Sequence, residues 1–148
     1  MKVLIIYDTK YGNTKKVAEL IGDGLKIVEE NVIKIENVKE IDLNKDETYD
    51  LILIGSPNHM GSYTTNVKKF IKKLPNSLLK GKSFAVFDTY LGKDFEKVVK
   101  KMEKQINKVM PNLNKISPGL SIKVGGMKGP IVDEDLPKCK EFGINLTK

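Results

Sequence analysis

Thr9, Gly12, Asn13 and Thr14 are the first residues in the chain whose types and spacing could do chemistry, and that chemistry is anion binding. Two hydroxyls and a glycine open to close backbone approach stand directly before an amphipathic helix. The first N–H groups of a helix have no partner within it, and the helix dipole favours negative charge there. Such a loop can hold a phosphate. Lys10 and Lys15 can add charge, and Tyr11 completes the segment. An ordinary β–α turn capped by Asn13 or Thr14 uses the same residues. The loop does not end in Gly-Lys-Ser/Thr and contains no GxGxxG, so it supports neither a nucleotide-triphosphatase loop nor a nicotinamide site.

Two further clusters have ligand-type composition. Gly55-Ser56-Pro57-Asn58-His59-Met60-Gly61-Ser62-Tyr63 combines a stiffening proline, a flexible glycine and three side chains, His59, Met60 and Tyr63, that could flank a flat ring. His59 is the only histidine. No acid stands close to it, so a catalytic dyad is not expected, and no spacing of ligands points to a metal. The third cluster, Asp88-Thr89-Tyr90-Leu91-Gly92-Lys93, again sets an aromatic beside a glycine. Tyr90 could stack on a ring or cover the sheet edge.

Hydrophobic periodicity places these clusters. Val3 to Ile6 and Leu51 to Ile54 are unbroken β-formers, as in parallel strands covered on both faces, and Ser83 to Phe87 is a third strand of this kind. Val32 to Ile35 and Leu120 to Val124 tolerate lysine and read as edges. Between them, helical spacing predicts helices over about residues 13–28, around Val67 to Leu74, from an Asp94 cap through Phe95 to Val109, and from about Asp135 with Pro137 in its first turn. Five strands alternating with helices imply one doubly wound α/β domain over 1–148, a three-layer sandwich with strand order 2-1-3-4-5. Loops 8–14, 55–63 and 88–94 then converge at the switch point, beyond the carboxyl ends of the central strands.

Bulk properties narrow the class. The 148 residues suffice for a substantial core, and no apolar run reaches membrane-spanning length. Cys139 is the single cysteine, which excludes an intrachain disulfide and a CxxC motif and reads as a small buried residue. A cytoplasmic location is the expectation. The net charge of +7 comes entirely from lysine, with no arginine. Nucleic-acid readers rely on arginine for bidentate base contacts, so no nucleic-acid partner is expected. The lysines fall on helix faces, as solvated surface or as docking sites for an acidic protein.

Taken in order, Thr9-Lys-Tyr-Gly-Asn-Thr14, Gly55-Ser-Pro-Asn-His-Met-Gly61 and Phe87-Asp-Thr-Tyr-Leu-Gly92 resemble the three loops of the flavodoxin family, of the short-chain type. The resemblance implies an FMN cofactor. Its phosphate would be held by the first loop, chiefly Thr9, Gly12, Asn13 and Thr14. Its ring would lie between Asn58–Gly61 and Thr89–Gly92. A reduction-linked peptide flip would map to Met60-Gly61. The chain departs from the family pattern in Tyr11, which stands where a hydroxyl residue is usual, in having no tryptophan, and in its basic charge. The implied function is electron transfer between redox partner proteins. An FMN-dependent reductase or oxidase of quinone-type molecules is one alternative, and a flavin-free interaction module is another.

Overall fold

The computed structural model describes residues 1–148. In chain order the elements are β1 (Lys2–Tyr7), α1 (Asn13–Leu25), β2 (Val32–Asn37), β3 (Glu47–Pro57), α2 (Thr65–Lys73), β4 (Leu79–Tyr90), α3 (Lys97–Val109), β5 (Asn114–Lys115), β6 (Leu120–Lys123) and α4 (Leu136–Asn145). Every strand pairing is parallel, and the order β2-β1-β3-β4-β5 is the one the apolar pattern requires. The fifth position is filled in two pieces. β5 lies beside Ser83 and Phe84, and β6, the strand expected at 120–124, lies beside Phe87 to Tyr90.

The sheet separates two apolar layers. On one face Ile52, Ile54, Phe84 and Val86 meet α2 and α3 through Val67, Phe70, Ile71, Val98, Val99, Met102 and Ile106. On the other, Val3, Ile5, Leu51, Leu53, Ala85 and Phe87 meet Val17, Ala18 and Ile21 of α1 and Cys139 of α4. Strands covered on both faces bury consecutive residues, which is why β1, β3 and β4 read as continuous apolar runs.

Local details differ from the sequence reading where tertiary contacts take over. The first helix stops at Leu25 instead of running to 28, because the Asn31 side-chain amide donates to the Leu25 carbonyl and ends the helical ladder. Neither Asn13 nor Thr14 caps it. The N-cap is Gly12 at φ 91°, a left-handed backbone that favours glycine, and no side chain caps the helix. α3 begins at Lys97, so Asp94 is not its cap and Phe95 is not on its buried stripe. Asp88, on β4, supplies the capping carboxylate by accepting from Val99 N–H at 3.0 Å. Phe95 is exposed and packs edge-on to Tyr90, ring centroids 5.8 Å apart. β4 extends through Tyr90, so Asp88, Thr89 and Tyr90 are strand residues.

Candidate functional site

The three loops leave β1, β3 and β4 at their carboxyl ends and enclose one cleft of about 680 Å³, within the range of cofactor sites. Of the residues expected from sequence, Thr9, Lys10, Tyr11, Asn13, Thr14, Pro57, Asn58, His59, Met60, Thr89 and Tyr90 line it.

Its floor at the first loop is the N-terminus of α1. With no side-chain cap, the N–H groups of Asn13, Thr14 and Lys15 find no acceptor within the protein. The loop is held in shape internally: Thr9 N–H donates to Asp8 Oδ1 at 2.9 Å, and Gly12 N–H donates to Thr9 Oγ1 at 3.0 Å. The Thr14 hydroxyl is buried and lies 2.9 Å from that of Thr89. The pair joins the first loop to the third, and since one hydroxyl donates to the other, one proton remains for a further acceptor. Lys10 rests over the Tyr11 ring, 5.4 Å from its centre, with both side chains exposed at the rim.

The second loop is a tight turn. His59 and Ser62 exchange both backbone hydrogen bonds, at 2.8 and 3.1 Å. Met60 and Gly61 between them have φ 52° and 83°. A methionine in the left-handed region is uncommon, and here its side chain is 94% exposed. Asn58 braces the turn. Its Nδ2 donates to Asp94 Oδ2 at 2.8 Å, its Oδ1 accepts from Gly61 N–H at 2.8 Å, and its own N–H donates to the Thr89 carbonyl at 2.8 Å. Asn58 thus braces the turn while it lines the cleft, and its amide keeps one N–H and one oxygen lone pair free. Lys101 Nζ donates to the Gly61 carbonyl from outside, at 2.7 Å.

Five expected residues do not line the cleft. Gly12 and Gly61 act through backbone conformation, and Gly92, at φ 73°, turns the chain outside it. Ser56 is fully buried, donating to the Pro57 carbonyl and accepting from Thr64 N–H. Asp88 faces α3, and Ser121 Oγ of the neighbouring β6 donates to it at 2.6 Å. Burial raises its carboxyl to about 6, against the opposing effect of the donors from Ser121, Val99 and Val98. Strand alternation sends Asp88 to the opposite side from Thr89. Tyr63 likewise packs on the core beside α2 and does not flank the cleft. Tyr90 both lines the cleft and packs on Phe95, and burial raises its phenol.

The structure adds Asp8, Lys39, Thr64, Thr65, Asn66, Leu91, Val124 and Met127 to the lining. Asp8 and Leu91 adjoin the recognised motifs, and Thr64 to Asn66 open α2, where free helix N–H groups are expected. Val124 and Met127 come from the segment after β6, for which no local signal exists.

A cleft at the switch point of a 2-1-3-4-5 sheet, floored by an uncapped helix N-terminus and walled by two turns, defines the flavodoxin-like class of α/β proteins. The flavodoxin-domain family model matches residues 4–120, and the chain belongs to the flavodoxin family. Membership carries a flavin-binding electron-transfer role. A flavodoxin of Aquifex aeolicus is 39% identical over 69 residues, 47% of this chain and 37% of that protein. Protoporphyrinogen IX dehydrogenase [quinone] of Escherichia coli is 32% identical over 73 residues, 49% of this chain and 40% of that protein. The matched stretches thus span well under half of these relatives' lengths. Among solved structures, oxidised flavodoxin 1 of Bacillus cereus superposes with TM-score 0.78 at 23% identity, over 99% of this chain and 97% of that one. An archaeal flavodoxin superposes with TM-score 0.77 at 24% identity, over 99% and 96%.

Proposed function

We propose that the cleft binds FMN and that the chain, as a single domain over 1–148, carries electrons between redox partner proteins. One observation carries this reading: the uncapped N-terminus of α1 opens, with Thr9 and Thr14, onto the same cleft as the Met60 turn and Tyr90. The donor set fits the group. Unpartnered N–H groups at a positive helix end and a spare hydroxyl proton are what a phosphate dianion needs. Tyr11, which departs from the family loop, leaves these backbone donors in place. Met60 on one side, with Tyr90 and Leu91 on the other, supplies polarisable and apolar surface for a flat ring. When bound, the flavin supplies one- and two-electron transfer, and the protein supplies position and electrostatics. Asn58 Oδ1 holds the Gly61 N–H, and the Met60 carbonyl of the same peptide has no donor within the protein, which leaves it as the acceptor for a ring N–H in this reading.

Titration of flavin-stripped protein with FMN tests this. Saturable quenching of flavin fluorescence at one FMN per chain is the expected result, and the absence of quenching refutes the reading in favour of a flavin-free interaction module. The similarity to a quinone-linked dehydrogenase favours a second reading, an FMN-dependent reductase of quinone-type molecules. Bleaching of the bound flavin by NAD(P)H with no partner reductase would select it over the carrier.

A further inference from the structure

The positive charge of this chain is concentrated on one face. α2 and α3 cover the same side of the sheet. They carry Lys68, Lys69, Lys72, Lys73, Lys97, Lys100, Lys101, Lys104 and Lys108 against a single acid, Glu103. Nine lysines against one glutamate give +8, more than the +7 of the whole chain. On the opposite side, Lys15 and Lys16 of α1 are balanced by Glu19 and Asp23, and α4 sets Lys138 and Lys140 against Glu141.

This charge is not neutralised within the protein. Glu103 turns away, toward Lys115 Nζ at 3.6 Å and Gly119 N–H at 3.2 Å. Lys97 and Lys100 approach Asp94 and Glu96 only to 3.9 and 3.8 Å, and such exposed pairs hold weakly. The other seven pair with no carboxylate among the chain's ion pairs.

The charged face runs into the cleft. Thr65 and Asn66, the first residues of α2, line it, and Lys101 of α3 holds the turn that bears Met60. At the mouth stand five of the ten large apolar side chains that the protein exposes. Tyr11, Met60, Leu91 and Met127 line the cleft, and Phe95 packs on Tyr90 beside it. An apolar centre beside a one-sign charged field is the anatomy of a steered, transient contact: the apolar part is desolvated, and the charge sets encounter rate and orientation.

We propose that the α2/α3 face and the apolar rim of the cleft form the docking surface for an electron-transfer protein that presents acidic side chains around its own redox centre. This rests on the FMN reading above. In each encounter one electron crosses between the flavin and the partner's centre. One is oxidised and the other reduced by that electron, no heavy-atom bond forms or breaks, and a proton released from the ring passes to solvent. Lysine suits this role as a point charge for carboxylates, whereas the absence of arginine removes the bidentate contacts that nucleic acids would use.

The test uses the FMN-loaded protein, after titration has established one flavin per chain. Photoreduced protein is mixed in a stopped-flow cell with cytochrome b5, an acidic haem protein, or cytochrome c, a basic one, from low to high salt. The expected result is that transfer to cytochrome b5 is the faster at low salt and slows about tenfold as salt rises, whereas transfer to cytochrome c speeds up. Lys68→Glu with Lys104→Glu should slow transfer to cytochrome b5 about tenfold at low salt with FMN affinity unchanged. Lys26→Glu with Lys140→Glu, an equal charge change just past the end of α1 and on α4, should slow it much less. A flat or reversed salt dependence overturns the proposal, as does equal slowing by the two variants. Binding of duplex DNA more tightly than cytochrome b5 at matched salt overturns it in favour of a nucleic-acid surface. Failure to bind FMN appears before any partner is added and removes the carrier reading itself.

Discussion

Asp88→Asn should remove a stabilisation that the wild type gains as pH falls, and the size of the effect follows from where Asp88 sits. Its carboxylate is fully buried between β4, β6 and α3, accepting from Ser121 Oγ and Val99 N–H. Burial outweighs these donors and moves the carboxyl from 3.8 to about 6. At about 1.4 kcal/mol per tenfold change in proton affinity, the charged form costs the folded state roughly 3 kcal/mol at neutral pH. Below 3.8 the group is protonated in both folded and unfolded chains and the cost vanishes. Between 3.8 and about 6 the folded chain keeps a proton that the unfolded chain has lost, so stability falls as pH rises. Above about 6 the cost is complete.

Asparagine keeps an acceptor for Val99 N–H and offers its amide to Ser121 Oγ, but does not titrate. Urea unfolding of both flavin-free proteins from pH 7 down to pH 4 gives the difference directly. Glu47, Asp50 and Asp135, whose carboxyls are lowered, destabilise both proteins in acid and cancel in the comparison. Wild type should gain about 2 kcal/mol on the variant between pH 7 and pH 4. A difference that does not change with pH, or that changes only below pH 4, refutes the account.

Replacing Thr14 with Ala removes the hydroxyl that meets Thr89 and should destabilise the fold by about 1 kcal/mol. It should also weaken FMN roughly tenfold and riboflavin much less, because only FMN has a phosphate. Equal weakening in a fluorescence titration would refute the phosphate assignment. Gly24→Ala puts a methyl 2.1 Å from the Lys140 carbonyl, where α1 and α4 meet. Overpacking of this kind should cost about 2–3 kcal/mol by denaturant unfolding, and an unchanged midpoint would show that the helices separate freely. Cys139 is fully buried, and burial pushes its thiol to about 12. A thiol-reactive disulfide at pH 8 should label it only as fast as the chain unfolds, and rapid labelling of native protein would refute its burial.

The sequence alone determined the sheet order and the place of the cleft. β1, β3 and β4 are apolar at consecutive positions where they are covered on both faces, at Val3 to Ile6, Leu51 to Ile54 and Phe84 to Phe87, while β2 and the outer β6, at the sheet edges, interrupt their apolar residues with Lys34 and with Ser121 and Lys123. The three loops were legible because their glycines, hydroxyls and proline are local chemistry, written within a few residues. What the tertiary structure decided was the direction and partnership of side chains. Asp88 and Thr89 are adjacent, yet the pleat sends one to cap α3 and the other to meet Thr14. Asn58 lines the cleft as expected and is also a brace, a role set by its partner Asp94 on another loop. Val124 and Met127 enter the cleft only because β6 pairs with β4. The lysines of α2 and α3 become one charged face only because both helices pack on the same side of the sheet. Periodicity records which residues are buried along a strand or helix, whereas contacts between distant segments exist only once the layers have closed.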